Sequence, residues 1–211
     1  MKILLVSSTQ QEIEPFLQQK RHMDVLISGV GIASATYNIT KQLLHHRYDL
    51  VIQAGVAGLF SSNGNGNGSP QMTDVVAVSK DVFGDLGAYE DRQFKSINDL
   101  QLSNDLEWLH NNNQPLLDKL PYKKVTALTV NTVTDDKAII NALQQKWSAV
   151  IESMEGAVLH YVCTEKEISF IQLRAICNHV GERDKSKWQL KEAITKLNAA
   201  ISDTIAAAGG K

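Results

Sequence analysis

The chain has 211 residues, 43% hydrophobic and 21% charged, with a formal net charge of −2. That size and composition suit one α/β unit over residues 1–211, long enough to bury a substantial core. With no basic block, a nucleic-acid footprint is excluded and a small molecule is the expected partner.

The first run, Met1-Lys2-Ile3-Leu4-Leu5-Val6, is basic and then apolar. It stops at Ser7, too soon for the apolar core of a signal peptide. No run reaches the roughly 18 apolar residues that span a bilayer. A cytoplasmic location without membrane contact is the expectation. Residues 3–6 read as a strand, and Glu12 follows in the first loop or helix, a solvated position if taken alone. Residues 25–28 read as a second strand. Gly29-Val30-Gly31 then opens a helix on Ile32, Ala35, Ile39 and Leu43. This turn lacks the third glycine and the distant acid of a dinucleotide fingerprint, so it reads as a plain strand–helix turn.

Residues 50–54 form a third strand, and Ala54-Gly55-Val56-Ala57-Gly58 reads as a glycine turn after it. Its backbone either approaches a ligand or simply turns. Residues 61–70, rich in Asn, Gly and Ser, read as a tolerated surface loop. After a strand at 75–79, residues 81–99 carry glycines, acids and Phe83, Leu86, Tyr89 and Phe94. They suit a loop over a site, with those four side chains against a ligand. Strands follow at 125–130, 149–151 and 168–176, with helical spacing at Ile139-Leu143 and Val158-Tyr161-Val162. A long helix closes the chain from 188 to 207. Cys163 and Cys177 sit in apolar surroundings as buried free thiols. Strand–helix alternation predicts a three-layer α/β/α fold with a mixed, largely parallel central sheet.

Two stretches carry the chemistry. Leu173-Arg174-Ala175-Ile176-Cys177-Asn178 ends an apolar strand in a guanidinium and an amide, and Ser153-Met154-Glu155-Gly156 places a carboxylate ahead of a helical segment. Acid, guanidinium and amide at one sheet edge make a small-molecule site.

Together with Glu12 and Gly55-Val56-Ala57-Gly58, these stretches resemble the purine nucleoside phosphorylase and nucleosidase superfamily, in the same order over residues 1–205. Within it, 130–134 and 178–184 most resemble the members that hydrolyse a 6-oxopurine nucleoside and release hypoxanthine. The resemblance implies the following roles. Glu155 accepts hydrogen bonds from the ribose hydroxyls, with Met154 under the sugar. Glu12 deprotonates the attacking water, and Arg174 helps hold that water and keeps Glu12 ionised. Val56, Ala57, Gly58, Thr132 and Val133 contact substrate. Asn178 holds the base, where adenosine-type members carry an aspartic acid. Its amide donates to O6 and accepts from a ring N–H. Val56, in place of a common serine, tilts the nucleophile toward water. Glu152 receives no role.

Asp184 is a candidate proton donor, the rival reading being a helix entry at Ser186 and Trp188. Arg183, Lys185 and Lys187 could meet a substrate carboxylate. No cofactor and no metal are expected, and a homo-oligomer is implied by the resemblance alone.

Overall fold

Apolar stretches with both faces buried make the sheet. The computed structural model describes residues 1–19, 23–61, 68–91 and 93–209. In chain order the elements are β1 (Ile3–Ser7), α1 (Gln10–Leu17), β2 (Asp24–Ile27), α2 (Ile32–His45), β3 (Leu50–Leu59), β4 (Val75–Asp81), β5 (Gly87–Glu90) and β6 (Gln93–Ser96). They continue with β7 (Leu109–His110), α3 (Gln114–Lys119), β8 (Lys123–Thr129), α4 (Lys137–Trp147), β9 (Ile151–Ser153), α5 (Gly156–Glu165), β10 (Ser169–His179) and α6 (Leu190–Ala207).

Strands β1, β3 and β10 run parallel in register, with Leu5, Ile52 and Ile171 in one row. That row packs under α1, α3 and α6 with Ile13, Phe16, Leu117 and Leu197. The alternate row, Leu4, Val51 and Phe170, packs under α2 and α5 with Ile39 and Leu159. Period-two alternation with apolar residues on both sides gives three layers. Five sheet pairings are parallel and three antiparallel.

The sheet also closes. β3 pairs β10, which pairs β4, then β8, then β9, and β9 returns to β3 at Gly58 and Leu59. Ala57, Val76, Val125, Ile151 and Ile176 come from all five strands and form one cluster, the filling of a small barrel.

Two expectations change. Residues 55–58 are not a turn: β3 runs through both glycines to Leu59, and β10 beside it extends through Arg174 to His179. Residues 81–99 are not a loop over the site. They hold the β5–β6 hairpin, whose Phe94 packs against Tyr89 and Trp147 at 5.3 and 6.2 Å between ring centroids. The Trp147 indole N–H donates to the Gly84 carbonyl at 3.0 Å, fixing the segment to α4. Both cysteines are buried and free, as expected. Residues 62–67 of the Asn/Gly stretch lie outside the described residues. No described helix is long and apolar enough to cross a membrane.

Candidate active site

Along one edge, β3 pairs β1 through Gln53 and β9 from Gly58 onward. Between those points its backbone has no strand beside it on that edge. Such a change of partner at the carboxyl ends of strands opens a crevice that suits ligands. Here it is a cleft of about 500 Å³ lined by Glu12, Val56, Glu152, Met154, Glu155 and Asn178, among others.

Glu12 enters the fork from the third position of α1. Its Oε2 accepts from the Thr9 backbone N–H and hydroxyl, both at 2.9 Å, and from the Ser7 hydroxyl at 3.2 Å. Its Oε1 accepts the exposed-edge N–H of Val56 at 3.0 Å. Four donors fix the orientation of this nearly buried side chain at the cleft wall. Arg174 stands behind it, 1% exposed. Its Nη2 donates to Gln53 Oε1 at 2.9 Å, while among the described residues its Nε finds no partner. A Cβ on Gly55 would lie 2.4 Å from Arg174 Nη1 and 2.9 Å from Glu12 Oε1. Glycine therefore lets the two groups approach through the strand.

Glu155 precedes α5, and its Oε1 accepts the Gly31 N–H at 2.9 Å. The Gly29-Val30-Gly31 turn, with φ of +79° and +87° at its glycines, thus positions this acid as well as starting α2. Among the described residues no group satisfies Glu155 Oε2. Beneath the start of α5 lies a polar network invisible in any motif. Asp81 accepts from Thr129 Oγ1 at 2.9 Å, Gln172 Nε2 at 3.1 Å and the Val82 N–H at 2.8 Å. Thr129 Oγ1 accepts the Ala157 N–H at 2.8 Å, and Ser153 Oγ accepts that of Gly156 at 3.2 Å. These contacts satisfy the first amides of α5 and fix where Glu155 stands. Burial raises the Asp81 carboxyl to about 6 despite its donors, and lowers His160 to about 4. The sequence signal for this network is a lone glutamine inside an apolar strand, at Gln53 and again at Gln172.

A bulge between Ile176 and Asn178 turns Asn178 toward the cleft, opposite Gly58. Its Nδ2 donates to the His179 carbonyl at 2.8 Å and its Oδ1 accepts from Cys177 Sγ at 3.1 Å. One amide hydrogen and one lone pair remain for a ligand. Val56, Ala57, Gly58, Val133 and Met154 line the cleft. Thr132 does not; its N–H faces Asp85 Oδ2 at 3.4 Å, beside the closer bond from Asn131 N–H at 2.8 Å.

Asp184 also stays outside the cleft lining. Its Oδ1 accepts from the Ser186 N–H and hydroxyl at 3.0 and 2.7 Å, capping the short turn Lys185–Lys187. Those bonds lower its pKa, so it stays ionised and suits a helix entry rather than proton donation. Arg183 and Lys185 line the cleft mouth, while Lys187 pairs with Glu182 at 2.8 Å. Phe83 and Leu86 face a separate depression of about 550 Å³ with Trp147 and Tyr161. Tyr89 and Phe94 are taken up by the hairpin's packing, so none of these four side chains lines the cleft. Glu152, given no role by the sequence, lies in it.

The sequence profile of the phosphorylase superfamily matches residues 17–207. The futalosine hydrolase of Thermus thermophilus is 28% identical over 193 residues, covering 88% of this chain and 82% of that protein. The futalosine hydrolase of Streptomyces coelicolor is 30% identical over 188 residues, covering 84% and 76%. The 5′-methylthioadenosine/S-adenosylhomocysteine nucleosidase of Helicobacter pylori with butyl-thio-DADMe-Immucillin-A matches the fold. Its TM-score is 0.80 at 17% identity, over 97% of each chain.

Proposed function

Because this chain belongs to the phosphorylase superfamily, we propose that it hydrolyses the N-glycosidic bond of futalosine, releasing hypoxanthine and dehypoxanthine futalosine. One observation carries the mechanism: two carboxylates, Glu12 and Glu155, share the cleft, one held by four donors and one with an unpartnered oxygen. Cleaving an N-riboside builds oxocarbenium character on the sugar. Glu155 Oε2 accepts from the ribose hydroxyls, and Met154 packs against the ring. Glu12 takes a proton from water as its oxygen bonds to C1′. Arg174 offsets the buried negative charge from behind the strand. A phosphate dianion would meet Glu12 and the apolar Val56 side chain at this position, which favours water as the nucleophile.

Asn178 supports hypoxanthine as the base, since its amide donates to O6 and accepts from a ring N–H. With the amide held by Cys177 and His179 so that Nδ2 meets the 6-position, an adenine 6-amino group would set donor against donor, at about 1–3 kcal/mol for the unpaired group. That consideration sets aside a methylthioadenosine nucleosidase, the activity named for the structural neighbour. Arg183 and Lys185 at the mouth suit futalosine's carboxylate. The reading extends to a single catalytic unit over residues 1–211, a cytoplasmic homo-oligomer and a step of menaquinone biosynthesis. Exposed Tyr37, Leu44 and Leu106 support assembly. The test is futalosine turnover with and without phosphate, reading the sugar product. A free reducing sugar at one rate in both supports the reading. A phosphate-dependent rate yielding a sugar 1-phosphate overturns it.

A further inference from the structure

Neither Asn178, which cannot ionise, nor Asp184, which is engaged in its own turn, can hand a proton to the departing base. A purine anion is a poor leaving group, so the proton must come from a group in the cleft. We propose that the Glu152 carboxyl is the catalytic acid that protonates a ring nitrogen of the departing purine; this rests on the nucleosidase reading above.

Gly58 on β3 stands opposite Glu152 on β9 and opposite Asn178 on β10. Directly opposed residues point to the same face of a sheet, and neighbouring strands are about 4.8 Å apart. Ala57 and Ile151 fill the barrel, so Gly58 and Glu152 face outward, into the cleft. The Glu152 and Asn178 backbones thus stand about 10 Å apart, two strand spacings, with Gly58 between them. The missing side chain at Gly58 leaves room for Val180 Cγ2, which a Cβ there would meet at 3.1 Å. A Cβ at Gly58 would already sit 3.5 Å from Asn178 Nδ2.

Glu152 itself is poised for this role. It is 7% exposed, yet among the described residues its carboxyl has no hydrogen-bond or ion-pair partner. A buried acid held for structure alone would be paired. Burial, then the charge of Asp85, raise its pKa to about 7, against a smaller opposing pull from Arg183. The facing groups are few. Asp85 follows β4, Tyr89 lies on β5, Arg183 follows β10, and β8 offers only Leu128 alongside. Glu12, Glu155 and Lys185 complete the cleft's charges. An acid near 7 is part-protonated under ordinary conditions, which suits proton donation.

The step balances. The C1′–N9 pair leaves with the base, the Glu152 proton goes to a ring nitrogen, and water oxygen bonds to C1′ as its proton passes to Glu12. Solvent then reprotonates Glu152 and takes the proton from Glu12.

The experiment compares wild type with Glu152→Gln on futalosine across pH, and on 4-nitrophenyl riboside, whose phenolate leaves without a proton. Glu152→Gln should lower kcat on futalosine by about 10²- to 10⁴-fold and abolish the alkaline fall in rate. Its rate on the nitrophenyl riboside should stay within about threefold. Equal losses on both substrates, or an unchanged futalosine profile, would overturn the proposal. Should Glu152→Gln fail to fold, Glu152→Asp serves: it keeps a titratable acid and should keep the alkaline limb, and loss of that limb counts against Glu152. A wild-type enzyme that spares futalosine but cleaves another nucleoside overturns the substrate reading alone, and Glu152→Gln is then judged on that nucleoside by the same criteria.

Discussion

Gly55→Ala adds one methyl group where the structure leaves no room for it. The new carbon would stand 2.4 Å from Arg174 Nη1 and 2.9 Å from Glu12 Oε1, whereas ordinary contact begins near 3.4 Å. The shortfall is therefore about 1 Å at the guanidinium and half that at the carboxylate. Arg174 cannot retreat, being 1% exposed and held by Gln53. The β3 backbone at residue 55 must therefore shift as well, which displaces Glu12 and strains its 3.0 Å bond to the Val56 N–H. Overpacking of this kind costs about 1–3 kcal/mol. For a chain of this size that lowers Tm by about 2–12 °C. A catalytic base displaced by a fraction of an ångström to 1 Å loses up to about 10²-fold in rate. Thermal melts and steady-state hydrolysis of futalosine read both effects. A Gly55→Ala variant with kcat within about threefold of wild type would refute Glu12 as the base held against this strand.

Glu12→Gln should lower kcat by about 10²- to 10⁴-fold while nucleoside still binds, measured by calorimetry beside turnover; a normal rate removes Glu12 from the chemistry. Asn178→Asp should shift preference toward 6-aminopurine nucleosides, read as the ratio of kcat/KM for futalosine and its 6-amino counterpart, and an unchanged ratio undoes this role of Asn178 in base recognition. Asp81 predicts a pH dependence of stability. Its folded pKa of about 6 lies above the unfolded value of 3.8, so the folded protein holds this proton more tightly. The contribution is full below about pH 4 and is lost as pH rises through 6, by up to about 3 kcal/mol. Denaturant titrations of wild type and Asp81→Asn should show their stability difference changing over that window, and a constant difference would contradict it.

The layers were legible because apolar strands and period-3.6 helices are local signals, and β1, β3, β8 and β10 lie where the apolar runs fall. Closure of the barrel was not, since the β9–β3 and β10–β4 pairings join distant segments. Two glycines made residues 55–58 read as a turn. In the fold, Gly55 serves close approach inside a strand. Glu12, Met154, Glu155 and Asn178 were visible through resemblance and meet in one cleft. Asp184 misled because an acid beside a site motif looks catalytic until its bonds to Ser186 are seen. Glu152 and Asp81 left a fainter trace, single acids bordering apolar runs, whose meaning depends on which face each strand buries.

Water attack on futalosine should release hypoxanthine without any need for phosphate. An equimolar mixture of futalosine, inosine and methylthioadenosine in phosphate-free buffer, sampled for free bases, reads substrate and nucleophile together. Hypoxanthine formed at the expense of futalosine, with the other two nucleosides intact, is the predicted result. Adenine release, or no base released until phosphate is added, would contradict it.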